Sequence, residues 1–399
     1  MKVKKQKILI LGASTWQIPL HQQAQAMGLE VISMDPYLDA PALKFAHEIH
    51  HVDLRDVENV YEIVAPLSID GVVTGADLAV PAAAYISKRL RLPGISVQAA
   101  YCATNKIAMR KKAQMLGVNI PEFKEIQNVH EAQQAFEKLG APCVMKPAHN
   151  CGARGVIFAP RESDLYNAFS EAKKASFGGP VIIEEYIAGT EYSVETFTDS
   201  TGNISILGIG LKEIDYSPYF ITTQICYPAP LNDALKEKAE KFVTMIVKEF
   251  ELNLGYAHTE IILKDNQFYL IETAARGGGA YISGKLMPVI TGVNLVEKQI
   301  EMALGNEVIL PSISSMKAGL IQFILPPPYC RITSLEVPQD IMKEPGILDF
   351  NLDLNIGDQI GAIKNTSHRC GHIILAGESI SELTPVLKSL LNQIQISGI

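Results

Sequence analysis

Cysteine is sparse in this chain: six residues in 399 (Cys102, Cys143, Cys151, Cys226, Cys330, Cys370), with no C-x-x-C pair among them. That scatter argues against a disulfide scaffold and a structural zinc site, and predicts reduced thiols. No apolar run is long enough to span a bilayer, and the lysine-bearing first residues lead into a strand rather than an apolar signal core. The expectation is a cytoplasmic protein with no membrane partner. Basic clusters are missing and the net charge is −8, which argues against a nucleic-acid partner. Phosphate-binding fingerprints are missing too. Gly12 is followed by Ala-Ser-Thr-Trp-Gln, so the G-x-G-x-x-G turn that lets backbone touch a dinucleotide pyrophosphate is absent. What is abundant is apolar residues: 47% of the chain, enough for two or three domains.

The first third alternates strand and helix. Strands are expected over 7–11, 30–34, 47–52 and 71–74, with helices over 18–27 and 57–65, the first ending at Gly28. This predicts a wound, parallel α/β unit. Ser14, Trp16 and Asp77 fall at the carboxyl ends of strands, where open α/β sheets place ligands, and are candidate substrate contacts. Trp16 reads equally well as a core residue.

The middle carries cations and acids at strand ends. A helix over 104–116 opens on Thr104 and Asn105, good capping residues, with Lys106 in its first turn. A lysine there opposes the helix dipole; a phosphate or simple solvent exposure would each account for it. A strand over 142–146 ends at Lys146 and is followed by His149-Asn150-Cys151-Gly152-Ala153-Arg154-Gly155. A strand-end lysine before a glycine-containing loop with an arginine is a phosphate cradle without being a P-loop, since no G-K-[ST] follows and a strand over 156–159 comes next. After a helix over 162–174, a strand over 181–186 ends in Glu184-Glu185-Tyr186-Ile187, and Glu191 precedes a strand over 192–198. Exposed backbone there can bond an adenine edge, and a carboxylate can accept from ribose hydroxyls. Lys212 closes a strand over 204–211 as a third strand-end cation.

The most informative stretch is 255–279, two strands (256–263 and 267–273) joined at Lys264-Asp265-Asn266. Glu260 and Glu272 fall roughly opposite each other on one face. Facing carboxylates on a half-buried sheet need a cation between them, and oxygen ligands of this kind suit Mg2+ (or Mn2+) sharing a nucleotide phosphate. Arg276 and three glycines follow, a cation and a backbone open to close approach by an anion. His258, two residues before Glu260 on the same strand face, reads as a substrate-orienting or proton-transfer group, or as a structural histidine.

Taken in order, Lys106, Lys146 with its loop, Glu184 to Ile187 with Glu191, then Glu260, Glu272 and Arg276 resemble the ATP-grasp superfamily, of the biotin carboxylase and carbamoyl-phosphate synthetase kind, in its carboxylate–amine ligase branch. The resemblance implies a pre-ATP-grasp α/β domain over 1–103 and an ATP-grasp domain over 104–305, with a lid about 120–187 and a larger part about 188–305. A small C-terminal α+β domain over 306–399 would pack on the grasp. It implies that Lys106 and Lys146 hold ATP phosphates under the loop formed by Cys151, Gly152, Ala153, Arg154 and Gly155. Glu184 and the backbone of Glu185, Tyr186 and Ile187 would take adenine, and Glu191 ribose. Lys212 would approach the β- and γ-phosphates, Glu260 and Glu272 would ligate Mg2+, and Arg276 would steady an acyl phosphate. Two positions depart from the family: Ala274 stands where many members have a metal-ligating Asn, and Cys151 where many have Ser or Gly. The implied activity is amino-acid-ligase-like coupling of a small carboxylate to an amine, in a possible homodimer; the alternatives are a purine-pathway ligase of the phosphoribosylglycinamide synthetase type, an enzyme of the biotin carboxylase type, and an ATP-binding protein without turnover.

Over 306–399, strands are expected at 318–325, 347–354, 359–363 and 372–376, and a helix at 381–393. Arg369 reads as either a site-facing or a plain turn residue. Substrate choice is assigned to 213–227, read as a loop bearing Tyr216, Tyr219 and Phe220, and to 277–284 with Gly278.

Overall fold

The computed structural model describes residues 5–215, 218–313 and 316–399; Tyr216 lies outside them. The first strands build a parallel four-stranded sheet in the order Glu48–His51, Glu30–Asp35, Lys7–Leu11, Gly71–Thr74. Alternation along Lys7–Leu11 sends Leu9 and Leu11 to one face with Val60 and Ile86. Ile8 and Ile10 go to the other, where they meet Ile300 and Ala303 of the helix Leu295–Ala303, a piece of chain almost three hundred residues later. Gly71 is required at that junction, because a Cβ there would lie 2.5 Å from the Ala303 carbonyl oxygen. The Asp35 carboxylate accepts from Ala13 N–H (2.7 Å) and Tyr37 N–H (2.8 Å), so it closes the turn after the first strand.

Residues 123–185 form an antiparallel sheet in the order Phe123–Ile126, Val181–Glu185, Cys143–Pro147, Ile157–Ala159. The helices Val129–Leu139 and Leu165–Lys174 contribute Ala132, Ala135, Leu165 and Ala168 to its own core with Met145 and Ile183.

The third sheet has eight antiparallel strands: Gln267–Ala274, Gly255–Lys264, Thr190–Thr198, Ile204–Asp215, Ile221–Tyr227, Ala318–Ile324, Gly371–Gly377, Ile347–Leu352. Its last three come from the C-terminal segment, so that segment extends the sheet of the central region. A smaller sheet of Gln359–Ile360, Cys330–Glu336 and Gln395–Gly398 flanks it, and Ile380–Gln393 covers it as a helix. Neither Cys330–Glu336 nor Gln395–Gly398 is expected from sequence.

One expectation needs correcting. The strand read as ending before Lys212 runs on to Asp215 and pairs with Ile221–Tyr227, so most of what reads as a loop over 213–227 is ladder. Glu213 and Asp215 face outward in alternation with Lys212 and Ile214, and charge on an outward face does not break a strand.

Candidate active site

One face of the eight-stranded sheet packs on the helix Asp233–Glu249 through Val194, Ile261 and Leu270. The opposite face is polar because charged residues recur at even spacing. Glu260 pairs across the ladder with Ser193, His258 with Glu195 and Ile262 with Glu191, while Lys212 stands one residue beyond the Leu211–Tyr192 pair. Glu191, Ser193, Glu195, Lys212, His258 and Glu260 therefore share a face.

Glu272 joins them through a bulge. The turn places Asp265 and Asn266 at φ 49° and 63°, the left-handed pair a two-residue hairpin demands. From Lys264–Gln267 the register runs to Ile261–Leu270, and an unbroken ladder would then set Glu260 against Ile271 and turn Glu272 to the other face. Ile271 is bulged out instead, and Glu260 faces Glu272. Arg110 takes the freed Ile271 carbonyl at 2.7 Å.

Lysines meet each carboxylate. Lys106, in the first turn of the helix Lys106–Met115 behind its Asn105 cap, lies 3.3 Å from Glu272 and donates to the Asn150 carbonyl at 2.8 Å. Lys212 lies between Glu191, at hydrogen-bond contact, and Glu260 at 2.7 Å. Burial opposes all three charges. Lys212 and His258 nevertheless hold Glu260 well below the usual carboxylate range, and the two carboxylates keep Lys212 charged. His258 donates to Glu195 at 2.5 Å and its other nitrogen lies 3.5 Å from Glu260. Burial would lower its pKa, but Glu195 raises it to about 9, which favours the imidazolium at neutral pH. Arg276 is clamped bidentate on Asp77 at 2.8 and 2.5 Å, joining the N-terminal sheet to the hairpin. Gly278 N–H donates to Glu195 at 2.9 Å, where a side chain would collide with that carboxylate.

Lys106, Glu191, Lys212, His258, Glu260, Glu272 and Arg276 line a cavity with about 1110 Å3 of empty space including its mouth, between this sheet and the 123–185 sheet. Lys146, the loop Cys151, Gly152, Ala153 and Arg154, and the segment Glu184 to Ile187 line its other side. Gly155 closes the loop at φ 71°, packed against Ala175 and Pro147. The loop N–H groups of Gly152, Ala153 and Gly155 make no hydrogen bond among the described residues. Burial pushes the Cys151 thiol up, so it is no thiolate. Glu185 and Tyr186 spend their N–H groups on the Glu122 (2.9 Å) and Pro142 (3.0 Å) carbonyls, while the Ile187 N–H is without an acceptor among the described residues. Tyr186, Phe158 and Phe220 gather their rings at that end, at 4.9 to 6.3 Å.

Glu184 is buried in a triad that sequence reasoning only half sees. Its Oε1 accepts from Arg110 at 2.7 Å, and its Oε2 meets Lys146 at 2.7 Å as an ion pair outside hydrogen-bond angles. Arg110 is not singled out by sequence, although it lies one helical turn after Lys106 and so on the same face. Glu195 is missed as well; its signal is the even spacing from Glu191 within an apolar strand.

The substrate candidates disperse. Asp77 is at the site, on Arg276, and lines a second cavity of about 920 Å3 of empty space that shares Glu272 and Asn150 with the first. Trp16 is 44% exposed, edge-on to Tyr281 at 4.9 Å and tilted over His372 at 5.7 Å, where three parts of the chain meet. Ser14 is exposed beside it as the N-cap of a short turn. Phe220 lies at the Tyr186 end, and Tyr219 lies under Lys364 outside the cavity. Arg369 stacks on Phe323 at 3.7 Å and donates to the carbonyl of cavity-lining Thr222 at 2.5 Å.

The chain matches known proteins along its whole length. It is similar to the L-amino acid ligase of Bacillus licheniformis, whose crystal structure superposes with a TM-score of 0.86 at 22% identity, covering 100% of both chains. Phosphoribosylglycinamide synthetase of Anaerococcus prevotii superposes at 0.76 with 23% identity, covering 99% of this chain and 100% of that one. The formate-dependent phosphoribosylglycinamide formyltransferase of Methanocaldococcus jannaschii is 24% identical over 385 residues, 92% of this chain and 96% of that protein. Residues 139–284 match the ATP-grasp domain and residues 322–397 the L-amino acid ligase C-terminal domain 2, so the chain carries an ATP-grasp domain followed by a C-terminal domain of the L-amino acid ligase type.

Proposed function

We propose that this protein is an ATP-dependent carboxylate–amine ligase acting on amino-acid-like substrates. The observation that carries the reading is the pairing of Glu260 with Glu272 across the hairpin, flanked by Lys106, Lys212 and Arg276, in the wall of a cavity also lined by a loop whose Gly152, Ala153 and Gly155 N–H groups have no acceptor among the described residues. Among the described residues no three His, Cys, Asp or Glu side chains gather as a metal cage. Two carboxylates side by side still suit Mg2+, which takes its remaining oxygens from phosphates and water. Bound there, the ion would offset charge on the transferring phosphoryl group. Ala274 adds no ligand, so Glu260 and Glu272 would be the side chains that hold it.

In this reading Ile187 and the Tyr186 aromatic end take the base, Glu191 the ribose, and the 151–155 loop with Lys146 the phosphates. A substrate carboxylate oxygen attacks the γ-phosphorus, the bond to the β–γ bridging oxygen breaks, and ADP leaves. The amine nitrogen then attacks the acyl carbon of the resulting acyl phosphate, inorganic phosphate departs, and the ammonium proton goes to solvent. Lys212, Lys106 and Arg276 stabilise the charge that builds on the phosphoryl oxygens, and His258 adds positive charge beside Glu260.

The second cavity supports an amine-bearing substrate. Asp77, held by Arg276, and Glu272, beside Lys106, line it, and among the described residues Arg55, paired with Asp53 at 2.6 Å, is the one lysine or arginine in its lining. A phosphoribosyl group would call for several cations there, and an ammonium for acids.

The test is phosphate release from Mg-ATP with pairs of amino acids, with phosphoribosylamine and glycine, with phosphoribosylglycinamide and formate, and with bicarbonate and biotin. Release that needs one amino-acid pair and vanishes in Glu272→Ala is expected. Release with a ribonucleotide substrate alone would replace this reading by a purine-pathway ligase, and nucleotide binding without release would end the ligase reading.

A further inference from the structure

The phosphate-side loop is held from outside its own sheet. The Gly152 carbonyl accepts from the Thr366 N–H at 3.2 Å and from its hydroxyl at 2.9 Å, across 214 residues of sequence. Gly152 sits at φ 66°, and a Cβ on it would lie 2.8 Å from the Thr366 hydroxyl oxygen, so the contact and the glycine require each other. Two residues earlier, Lys364 reaches both oxygens of Glu171 at 3.3 Å, on the helix Leu165–Lys174 that packs under the same loop. Its ammonium also lies 5.9 Å from the Tyr219 ring centre. Asn365 stiffens the turn by accepting from the Ser367 N–H at 2.9 Å. Thr366 itself lines the cavity.

The consequence is directional. In a trans peptide the carbonyl and the following N–H point opposite ways, so tying the Gly152 carbonyl to Thr366 fixes the Ala153 N–H on the other side of the loop. The Gly152, Ala153 and Gly155 N–H groups have no acceptor among the described residues, and backbone N–H groups left free in one loop are how backbone makes an anion-binding concavity.

We propose that the C-terminal turn 364–366 is a positioning element of the nucleotide site, holding the 150–155 loop with its N–H groups set for phosphate. The inference rests on the nucleotide reading of the cavity. Lys364 and Thr366 act through the loop and through Glu171. Losing them should raise KM for ATP and leave kcat at saturating ATP near wild type, because the interaction serves ground state and transition state alike.

The experiment is calorimetric titration of Mg-ADP into the full-length protein, as wild type, Lys364→Met/Thr366→Val and Thr366→Ser, together with hydrogen exchange at the Val156 and Thr366 amides. Removing one hydroxyl hydrogen bond and one partly exposed ion pair should weaken Mg-ADP binding roughly tenfold in the double variant. Exchange at both amides should quicken there, and Thr366→Ser, which keeps both the hydroxyl and Lys364, should bind Mg-ADP as wild type does. Equal affinity in wild type and double variant overturns the clasp while leaving the nucleotide site standing. Weaker binding without faster exchange also overturns it, since the loss would then arise elsewhere. Wild type that binds no Mg-ADP overturns the nucleotide reading and the proposal together, whatever the exchange rates.

Discussion

Glu184 is 1% exposed and ionised, between Arg110 and Lys146. Burial alone would favour its neutral form, yet the two cations hold its pKa at about 2, against 4.5 for the free side chain. A carboxylate lowered in the folded state contributes stability that is present above the unfolded pKa and is lost as pH falls from 4.5 toward about 2. Glu184→Gln leaves two buried cations short of a counter-charge and should cost about 3–5 kcal/mol near neutral pH. The wild type's advantage should then shrink by about 2 kcal/mol between roughly pH 5 and pH 3. Urea unfolding of both proteins at those pH values checks this, and a constant gap would mean the triad is not what sets the pKa. Residues of this kind were half legible in the sequence. Glu184 and Lys146 announce themselves as charges at strand ends, but which charge meets which depends on the packing of the Lys106–Met115 helix against the 123–185 sheet. Arg110 looks like any exposed arginine until that helix is docked, when it becomes fully buried.

At the scale of the hairpin, what could be read was the turn chemistry and the presence of two acids. The bulge could not be read. Counting pairs outward from Asp265–Asn266 puts Glu260 opposite Ile271, one residue short of Glu272, and only the extra residue at Ile271 brings both carboxylates to one face. Nothing in Tyr-Leu-Ile-Glu-Thr marks the bulge; it is fixed by Arg110 capturing the Ile271 carbonyl from another element. Lys212 was misplaced at a strand end for a related reason, since outward charges at Glu213 and Asp215 disguised a ladder that continues. The turn itself is testable. Asn266 is left-handed at φ 63°, so Asn266→Gly should hold or slightly raise the melting temperature, whereas Asn266→Val puts a β-branched residue there and should cost about 1–2 kcal/mol. Val should also loosen the hairpin register and lower phosphate release with it. Unchanged unfolding midpoints in the Val variant would show that the turn does not set the register.

Over the whole molecule, the order of charged residues revealed the ATP-grasp domain, while the way the parts interlock is carried by long-range pairing that no local pattern encodes. The helix Leu295–Ala303 completes the N-terminal sheet, Arg276 bonds Asp77 across 199 residues, and three C-terminal strands extend the central sheet. The last of these has a cost that can be measured. In the intact protein Ile221–Tyr227 pairs with Ala318–Ile324 from Gln224–Gln322 to Tyr227–Gly319, and Leu286, Met287 and Ile290 pack against Ile321, Phe323 and Ile374 in one core. A chain ending at residue 310 would leave Ile221–Tyr227 as a bare edge, with Ile225 and Tyr227 beside an uncovered apolar face. Such an edge recruits other chains. The truncated chain should therefore be recovered mainly as aggregate, and any soluble fraction should show rapid amide exchange along Ile221–Tyr227 and Ile204–Asp215. The hairpin strands Gly255–Lys264 and Gln267–Ala274, four and five places away in the sheet from the nearest missing strand, should stay protected in that fraction. A soluble monomer with all five remaining strands protected would show instead that the central sheet is complete without its C-terminal extension, and that the eight strands are two units laid edge to edge.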